Sequence, residues 1–243
     1  GGLDGTFGPG TMSAIESFQD DQQITVDGLP TRTVLMNLKR LQKWKGKKYR
    51  STLRVLNWTD YIDPAVLESF EAETGTQIIY DVFTSSEELR EKLQTAQVPY
   101  DVVFPSSGQI QGLADEKLLQ RVSKTEIPNL ANVDSQILGF INTLDPGNNY
   151  QIPYLWGTIG LGANKSALAR VGASGTVDSL HYVFDPTYAR KLAPCGVRVL
   201  DSASDTIPLV LMYLGLDPAS HDPAEIRKAD AVLQAVKQWV KPT

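Results

Sequence analysis

Four neighbouring side chains, Trp58, Thr59, Asp60 and Tyr61, place an indole, a hydroxyl, a carboxylate and a phenol side by side. The run Leu56–Ile62 follows a short apolar stretch and leads into Asp63-Pro64, a helix-start signature. This chemistry suits a small organic cation. Aromatic faces attract positive charge and cover methylenes, and oxygens accept N–H bonds. The same aromatics would also serve as ordinary core behind a strand, and the four residues alone leave both readings open.

The elements needed to position such a group are legible around it. Leu53–Leu56 reads as a buried strand. Asp63 then caps a helix with Pro64 in its first turn, an apolar stripe of Val66, Leu67 and Phe70, and Gly75 at its end. Gln77–Val82 is a second strand, and Ser85 with Glu88 forms a capping box for a helix carrying Leu89 and Leu93. Tyr100–Phe104 is a third strand, followed by Ser106, Ser107 and a helix at 108–116. Strand–helix–strand–helix–strand implies parallel strands with right-handed crossovers. Their carboxyl ends then share one edge, where open α/β sheets bind ligands. Helix starts at that edge favour anions through their N–H groups, so Ser106 would serve a cation only through its hydroxyl oxygen.

A second α/β segment follows. Tyr150–Gly162 reads as a glycine-interrupted strand, and Val197–Asp201 as a shorter one. The latter leads into a polar turn with Asp205 and an apolar helix through Leu211 and Leu214. Asp222-Pro223 starts a final amphipathic helix with Ile226, Ala229, Leu233, Val236 and Val240 on one face.

Composition narrows the function classes. The chain has 243 residues, 42% of them hydrophobic, enough for a sizeable core. The net charge of −5 divides into +3 over residues 1–50 and −8 over the remainder. An acidic main body argues against nucleic acid and accommodates cationic ligands. Cys195 is the single cysteine, and His181 and His221 lie far from it in sequence, which leaves no metal set and no Cys–His nucleophile. No apolar run reaches the roughly 18 residues of a membrane span. The opening residues read as the middle of a domain, so the lack of a leader pattern carries no weight.

Residues 1–42 hold a crude repeat. Asp4–Thr11 precedes Met12, Ile15 and Phe18 on one helix face, and Asp27-Gly28-Leu29-Pro30-Thr31 precedes Val34, Leu35, Leu38 and Leu41. Each Asp-Gly forms a tight turn, with Thr11 and Thr31 as N-caps. The Asp-Gly-x-Phe-Gly-Pro-x-Thr turn, with Ala14, Phe18, Gln19 and the second Asp-Gly, resembles the three-helix peptidoglycan-binding domain. The second turn has Leu29-Pro30 in place of the usual Gly-Pro, and the family's first helix is missing. Lys39, Arg40, Lys43, Lys45, Lys47, Lys48 and Arg50 form a basic run free of acids, read as a solvated linker.

Residues 53–240 resemble periplasmic polyamine-binding proteins of ABC importers, nearest the putrescine-binding kind. The resemblance rests on Asn57–Ile62, Phe70–Gly75, Tyr80–Phe83, Tyr100–Ser106, Pro153–Thr158 and Cys195–Val197, in order and at compatible spacing. It implies an α/β chain of type II periplasmic-binding-protein lobes, the second incomplete, behind a small all-α peptidoglycan-binding-like module. The implied boundaries are 1–42 for the module, 43–52 for the basic linker, 53–145 for the first lobe and 146–243 for the second. The chain would be a fragment open at both ends. By the same resemblance Trp58 and Tyr61 wall the alkyl chain of a linear diamine, while Thr59 and Asp60 bind one ammonium with Ser106 adding an oxygen. Asp205 stands where the family has a glutamate, Gly108 where the putrescine-binding kind has a serine, and Ala163 replaces a common tyrosine.

The implied function is extracytoplasmic, periplasmic capture of putrescine or spermidine for a membrane permease, without catalysis or cofactor and with peptidoglycan as a further partner. Two alternatives stand beside it. One is a cell-wall enzyme or accessory anchored by the N-terminal module, for which Asp60 and Asp205 would be the acid/base pair. The other is a polyamine sensor that signals to a partner.

Overall fold

The computed structural model describes residues 7–43, 51–173 and 176–243, in two compact units divided between Leu155 and Trp156. The first unit opens with two helices, α1 (Pro9–Gln22) and α2 (Arg32–Lys43). Helix α1 begins earlier than a Thr11 cap would place it. Gly8 is its N-cap and Pro9 its first residue, because proline's fixed φ and missing N–H cost nothing there. The part of the first Asp-Gly turn at Asp4–Thr6 lies outside the described residues. The inward face of α1 is Ile15 and Gln19, with Met12 exposed. Gln19 holds the second turn: its Oε1 accepts from the Asp27 and Gly28 amides at 3.1 and 2.8 Å, and its Nε2 donates to Asp27 Oδ1 at 2.7 Å. Gly28 has φ +67°, and a β-carbon there would stand 2.6 Å from Met12 Cγ.

Thr31 caps α2 by accepting from the Val34 amide at 3.2 Å. The helix buries Val34, Asn37 and Arg40, while Leu35 is exposed and Leu38 and Leu41 are half-buried. This corrects the expected leucine face, and it corrects the reading of Arg40 as part of a solvated run. Arg40 is 3% exposed. Its Nη2 meets Glu71 Oε1 at 2.5 Å and the Ile78 carbonyl at 2.8 Å, and its Nη1 donates to Asn37 Oδ1 at 3.1 Å. Asn37 in turn donates to the Tyr80 carbonyl at 2.8 Å. Partners for each of these polar groups make the burial tolerable. Residues 44–50 of the basic run lie outside the described residues.

Strand β1 (Ser51–Trp58) has four consecutive buried residues, Arg54–Asn57, the mark of a central strand covered on both faces. It pairs in parallel with β2 (Thr76–Phe83), from Ser51 opposite Thr76 to Trp58 opposite Phe83. On its other side it pairs in parallel with β3 (Val102–Val103), giving the order β2-β1-β3. The crossovers are α3 (Pro64–Thr74) and α4 (Ser86–Thr95). Asp63 caps α3 by accepting from Ala65 N at 2.9 Å, and Gly75 closes it at φ 69°. Only part of the expected α3 stripe faces inward. Leu67 and Glu71 are buried, while Val66 is 56% and Phe70 41% exposed. The helix turns its carboxylate to Arg40 and to the Ile78 amide, 2.9 Å from Glu71 Oε1.

Ser85 caps α4, but Glu88 closes the box one residue early. Its Oε2 accepts from Thr84 N and Oγ1 at 2.7 and 2.8 Å. One face of the sheet packs Val55, Leu67, Ile78 and Tyr80; the other packs Leu56, Phe83, Leu89 and Leu113. Beyond β3 come a 3-10 turn at Ser107–Gln109, α5 (Ile110–Asp115) and α6 (Ser135–Leu144).

The second unit contains α7 (Lys165–Arg170), α8 (His181–Phe184), α9 (Pro186–Leu192), β4 (Arg198–Val199), α10 (Ala203–Tyr213), α11 (Pro223–Val236) and β5 (Lys241–Pro242). Strands β4 and β5 pair in parallel. Phe184, Val210, Leu211 and Ala229 form the centre of its core. Residues 151–164 form no strand, contrary to expectation. Pro153 and three glycines interrupt the run, and no strand among the described residues offers it a ladder.

Candidate functional site

At the carboxyl edge of the sheet the chain leaves β1 through a tight turn. Thr59 donates its amide and its hydroxyl to the Phe83 carbonyl, at 3.1 and 3.3 Å, tying the turn to the end of β2. Asp60 adopts φ +61°, a left-handed conformation that aspartate tolerates better than most residues. Tyr61 N returns to the Trp58 carbonyl at 3.4 Å. The Asp60 side chain is largely in solvent, on the turn that joins Trp58 to Tyr61.

Trp58 is half-buried, with its ring centroid 4.5 Å from Phe83 and 6.2 Å from Tyr61. Tyr61 is exposed. Tyr154 donates its phenol to the Tyr61 carbonyl at 2.6 Å and meets Phe104 edge-on at 4.7 Å. An open groove here is lined by Arg32, Asp60, Tyr61, Ile62, Asp63, Pro64 and Leu155. Arg32, from the start of α2, donates to Asp60 Oδ1 at 2.7 Å. A smaller pocket lies between α2, α3 and β2, with Tyr80 and Met36 among its walls. Tyr80 is 2% exposed, and its hydroxyl makes no hydrogen bond among the described residues. Burial pushes this phenol up to about 12. Tyr80 thus stays neutral across the physiological range.

Ser106 follows β3 at the same sheet edge and is exposed. Its side chain accepts from the Gln109 backbone, and Gln109 Oε1 accepts from Ser106 N at 3.2 Å. Part of the serine's acceptor capacity is therefore already in use. Gly108 lies within the same 3-10 turn, and a β-carbon added there would meet no atom within 4 Å. Asp205 belongs to the second unit and is half-buried. It lies in the first turn of α10, not in the preceding loop as expected.

The structure thus brings Trp58, Thr59, Asp60 and Tyr61 together in one turn and sets Ser106 at the same edge. Phe83, expected at this edge from the end of the second strand, packs on Trp58, and the structure adds Tyr154 and Arg32, which sequence reasoning did not place at the site. Phe83 and Tyr154 were visible inside the motif strings Tyr80–Phe83 and Pro153–Thr158. Arg32 gave no signal, because its partner is 28 residues away. Among the described residues, no group of three or more His, Cys, Asp or Glu side chains is arranged to hold a metal ion. No helix among them is long and apolar enough to cross a membrane.

Residues 65–243 match the family described as "Bacterial extracellular solute-binding protein", and residues 1–38 match the "Putative peptidoglycan binding domain". The putrescine-binding periplasmic protein SpuD of Pseudomonas aeruginosa is 39% identical over 189 residues, covering 77% of this chain and 52% of that protein. The putrescine-binding periplasmic protein PotF of Escherichia coli is 37% identical over 172 residues, covering 70% and 46%. The chain spans about half the length of these curated relatives. A solved structure described as "Putative spermidine/putrescine ABC transporter from Listeria monocytogenes" superposes with a TM-score of 0.67 at 29% identity, covering 79% of this chain and 56% of that one. The Tp0655 lipoprotein of Treponema pallidum shares the fold, with a TM-score of 0.65 at 24% identity over 78% of this chain and 56% of that one.

Proposed function

Because the chain belongs to the bacterial extracellular solute-binding protein family, we propose that it captures putrescine or spermidine outside the cytoplasm and delivers it to the permease of an ABC importer. Its chemistry is then binding, not catalysis. The observation that carries the reading is the β1 exit turn: Asp60 raised at φ +61° beside the Trp58 and Tyr61 rings. A linear diamine places an ammonium on the carboxylate and its methylenes against the rings. Cation–π attraction and apolar contact then add to the charge pair. Thr59 and Ser106 are the proposed neutral acceptors, and Asp205 is proposed as a further carboxylate for the ligand.

Calorimetric titration of putrescine and spermidine tests this. Saturable one-to-one binding is expected, and Trp58→Ala or Asp60→Ala should each weaken it about tenfold, or ~1.4 kcal/mol. Unchanged affinity in both variants would remove these residues from the site. No binding by the folded wild type would overturn the polyamine reading.

The match over residues 1–38 supports peptidoglycan as a second partner. Co-sedimentation with purified sacculi tests it, and a chain that stays in the supernatant at low salt would refute it.

A further inference from the structure

The carboxylate proposed to receive the ligand's ammonium already holds a cation. Arg32 Nη1 stands 2.7 Å from Asp60 Oδ1, and both side chains are largely in solvent, 76% and 60% exposed. Among the described residues Arg32 is the one donor to this carboxylate. The contact is a single N–H bond to one oxygen, not the two-pronged fork by which guanidinium binds carboxylate most firmly. Exposed pairs of this kind are weak and exchange readily.

Arg32 is also held close by its own element. Helix α2 is anchored through buried Arg40, Glu71 and Asn37, so its first turn stays beside the β1 exit turn. Beneath the pair, the buried Tyr80 hydroxyl has no partner among the described residues and lines a small pocket bounded by Arg32, Asp60 and Met36.

We propose that Arg32 is an internal counter-ion that competes with the ligand for Asp60, so that the N-terminal module lowers affinity for cationic solutes. This rests on the polyamine reading above. An arriving ammonium must displace the guanidinium from Oδ1 or share the carboxylate with it at close range, and either route costs binding free energy. The displaced Arg32 remains near the bound charge and repels it further. The competition is electrostatic, so it discriminates by charge: neutral solutes gain nothing from Asp60 and lose nothing to Arg32.

The test is titration of putrescine and spermidine into the whole chain and three variants, Arg32→Ala, Arg32→Lys and Arg90→Ala. Arg90 is also exposed and paired, but to Glu116, so its loss changes net charge equally without touching Asp60. Arg32→Ala should tighten binding about two- to fivefold, the equivalent of an exposed ion pair. Arg32→Lys should stay near wild type, and Arg90→Ala should not reproduce the gain. Salt adds a second readout. Wild type exchanges one ion pair for another, whereas Arg32→Ala forms a new one, so its affinity should fall more steeply between low and physiological salt. Equal affinity and equal salt slopes in wild type and Arg32→Ala would overturn the competition while leaving polyamine binding intact. Weaker binding by Arg32→Ala would overturn it too, making Arg32 a support for Asp60. Absence of saturable binding by both folded proteins would overturn the polyamine reading and the competition with it.

Discussion

At the scale of single residues, the exit from β1 is fixed by two bonds from Thr59 to the Phe83 carbonyl, and Asp60 follows at φ +61°. The sequence suggests Trp58, Thr59, Asp60 and Tyr61 as a cation-binding set, and the structure adds that Asp60 takes a left-handed conformation there. It depends on Thr59 reaching the Phe83 carbonyl 24 residues away. Gly108 gives a direct test of space. A β-carbon there has open space around it, so Gly108→Ser should leave thermal stability within about 0.5 kcal/mol of wild type. If its hydroxyl reaches the ligand as the serine at the family's matching position implies, putrescine affinity should rise in the same titration. Tyr80 gives a pH test. Its phenol is favoured neutral in the fold, so the stabilisation it contributes is complete below the unfolded value near 10 and is lost as pH rises toward about 12. Burial and the Asp81 carboxylate raise Tyr100 as well. Tyr80→Phe should therefore flatten, without abolishing, the fall in denaturation midpoint across this window. At neutral pH the same variant removes a buried hydroxyl that lacks a hydrogen-bond partner among the described residues, and should match or exceed wild-type stability by up to about 1 kcal/mol.

At the scale of elements, caps and periodicity served well where local rules act alone. Asp63-Pro64, Gly75 and Ser85 stand at the helix ends where the sequence puts them. The readings that failed were those settled by distant partners. The α2 face followed its leucines on paper, yet the helix rotates to bury Asn37 and Arg40, whose partners lie on β2 and α3. Glu71 interrupts the apolar pattern of α3 for the same reason. Residues 151–164 have strand-forming composition but no neighbouring strand among the described residues, and composition cannot supply one. The α2 anchor is testable by chemical denaturation. Arg40→Ala leaves Glu71 buried and uncompensated and should cost about 3 kcal/mol or more. The paired replacement of Arg40→Met with Glu71→Leu should cost much less than the single change, because neither charge is then left alone. Gly28→Ala should cost about 1–2 kcal/mol through its positive φ and the approach to Met12.

At the scale of the whole molecule, the division into two units at Leu155 and Trp156 falls in an irregular, exposed stretch. Trp156 is 78% exposed and Leu155 60%. Brief chymotrypsin treatment should therefore cut first within residues 151–164 and yield two fragments matching the units, identified by mass spectrometry. Primary cuts inside α3 or α11 would contradict the division. The parallel arrangement of the first sheet was legible from its alternation of strands and helices; the docking of α1 and α2 onto that sheet was not. That docking bears on how such a chain changes over generations. Arg40 and Glu71 sit 31 residues apart, in segments matched by different family descriptions or by none. Once their ion pair is buried, a change at either partner alone leaves the other charge buried and uncompensated, whereas a paired change does not. The seam between the leading helices and the sheet therefore favours changes that arrive in pairs: each half of the ion pair sets the terms on which the other can be replaced.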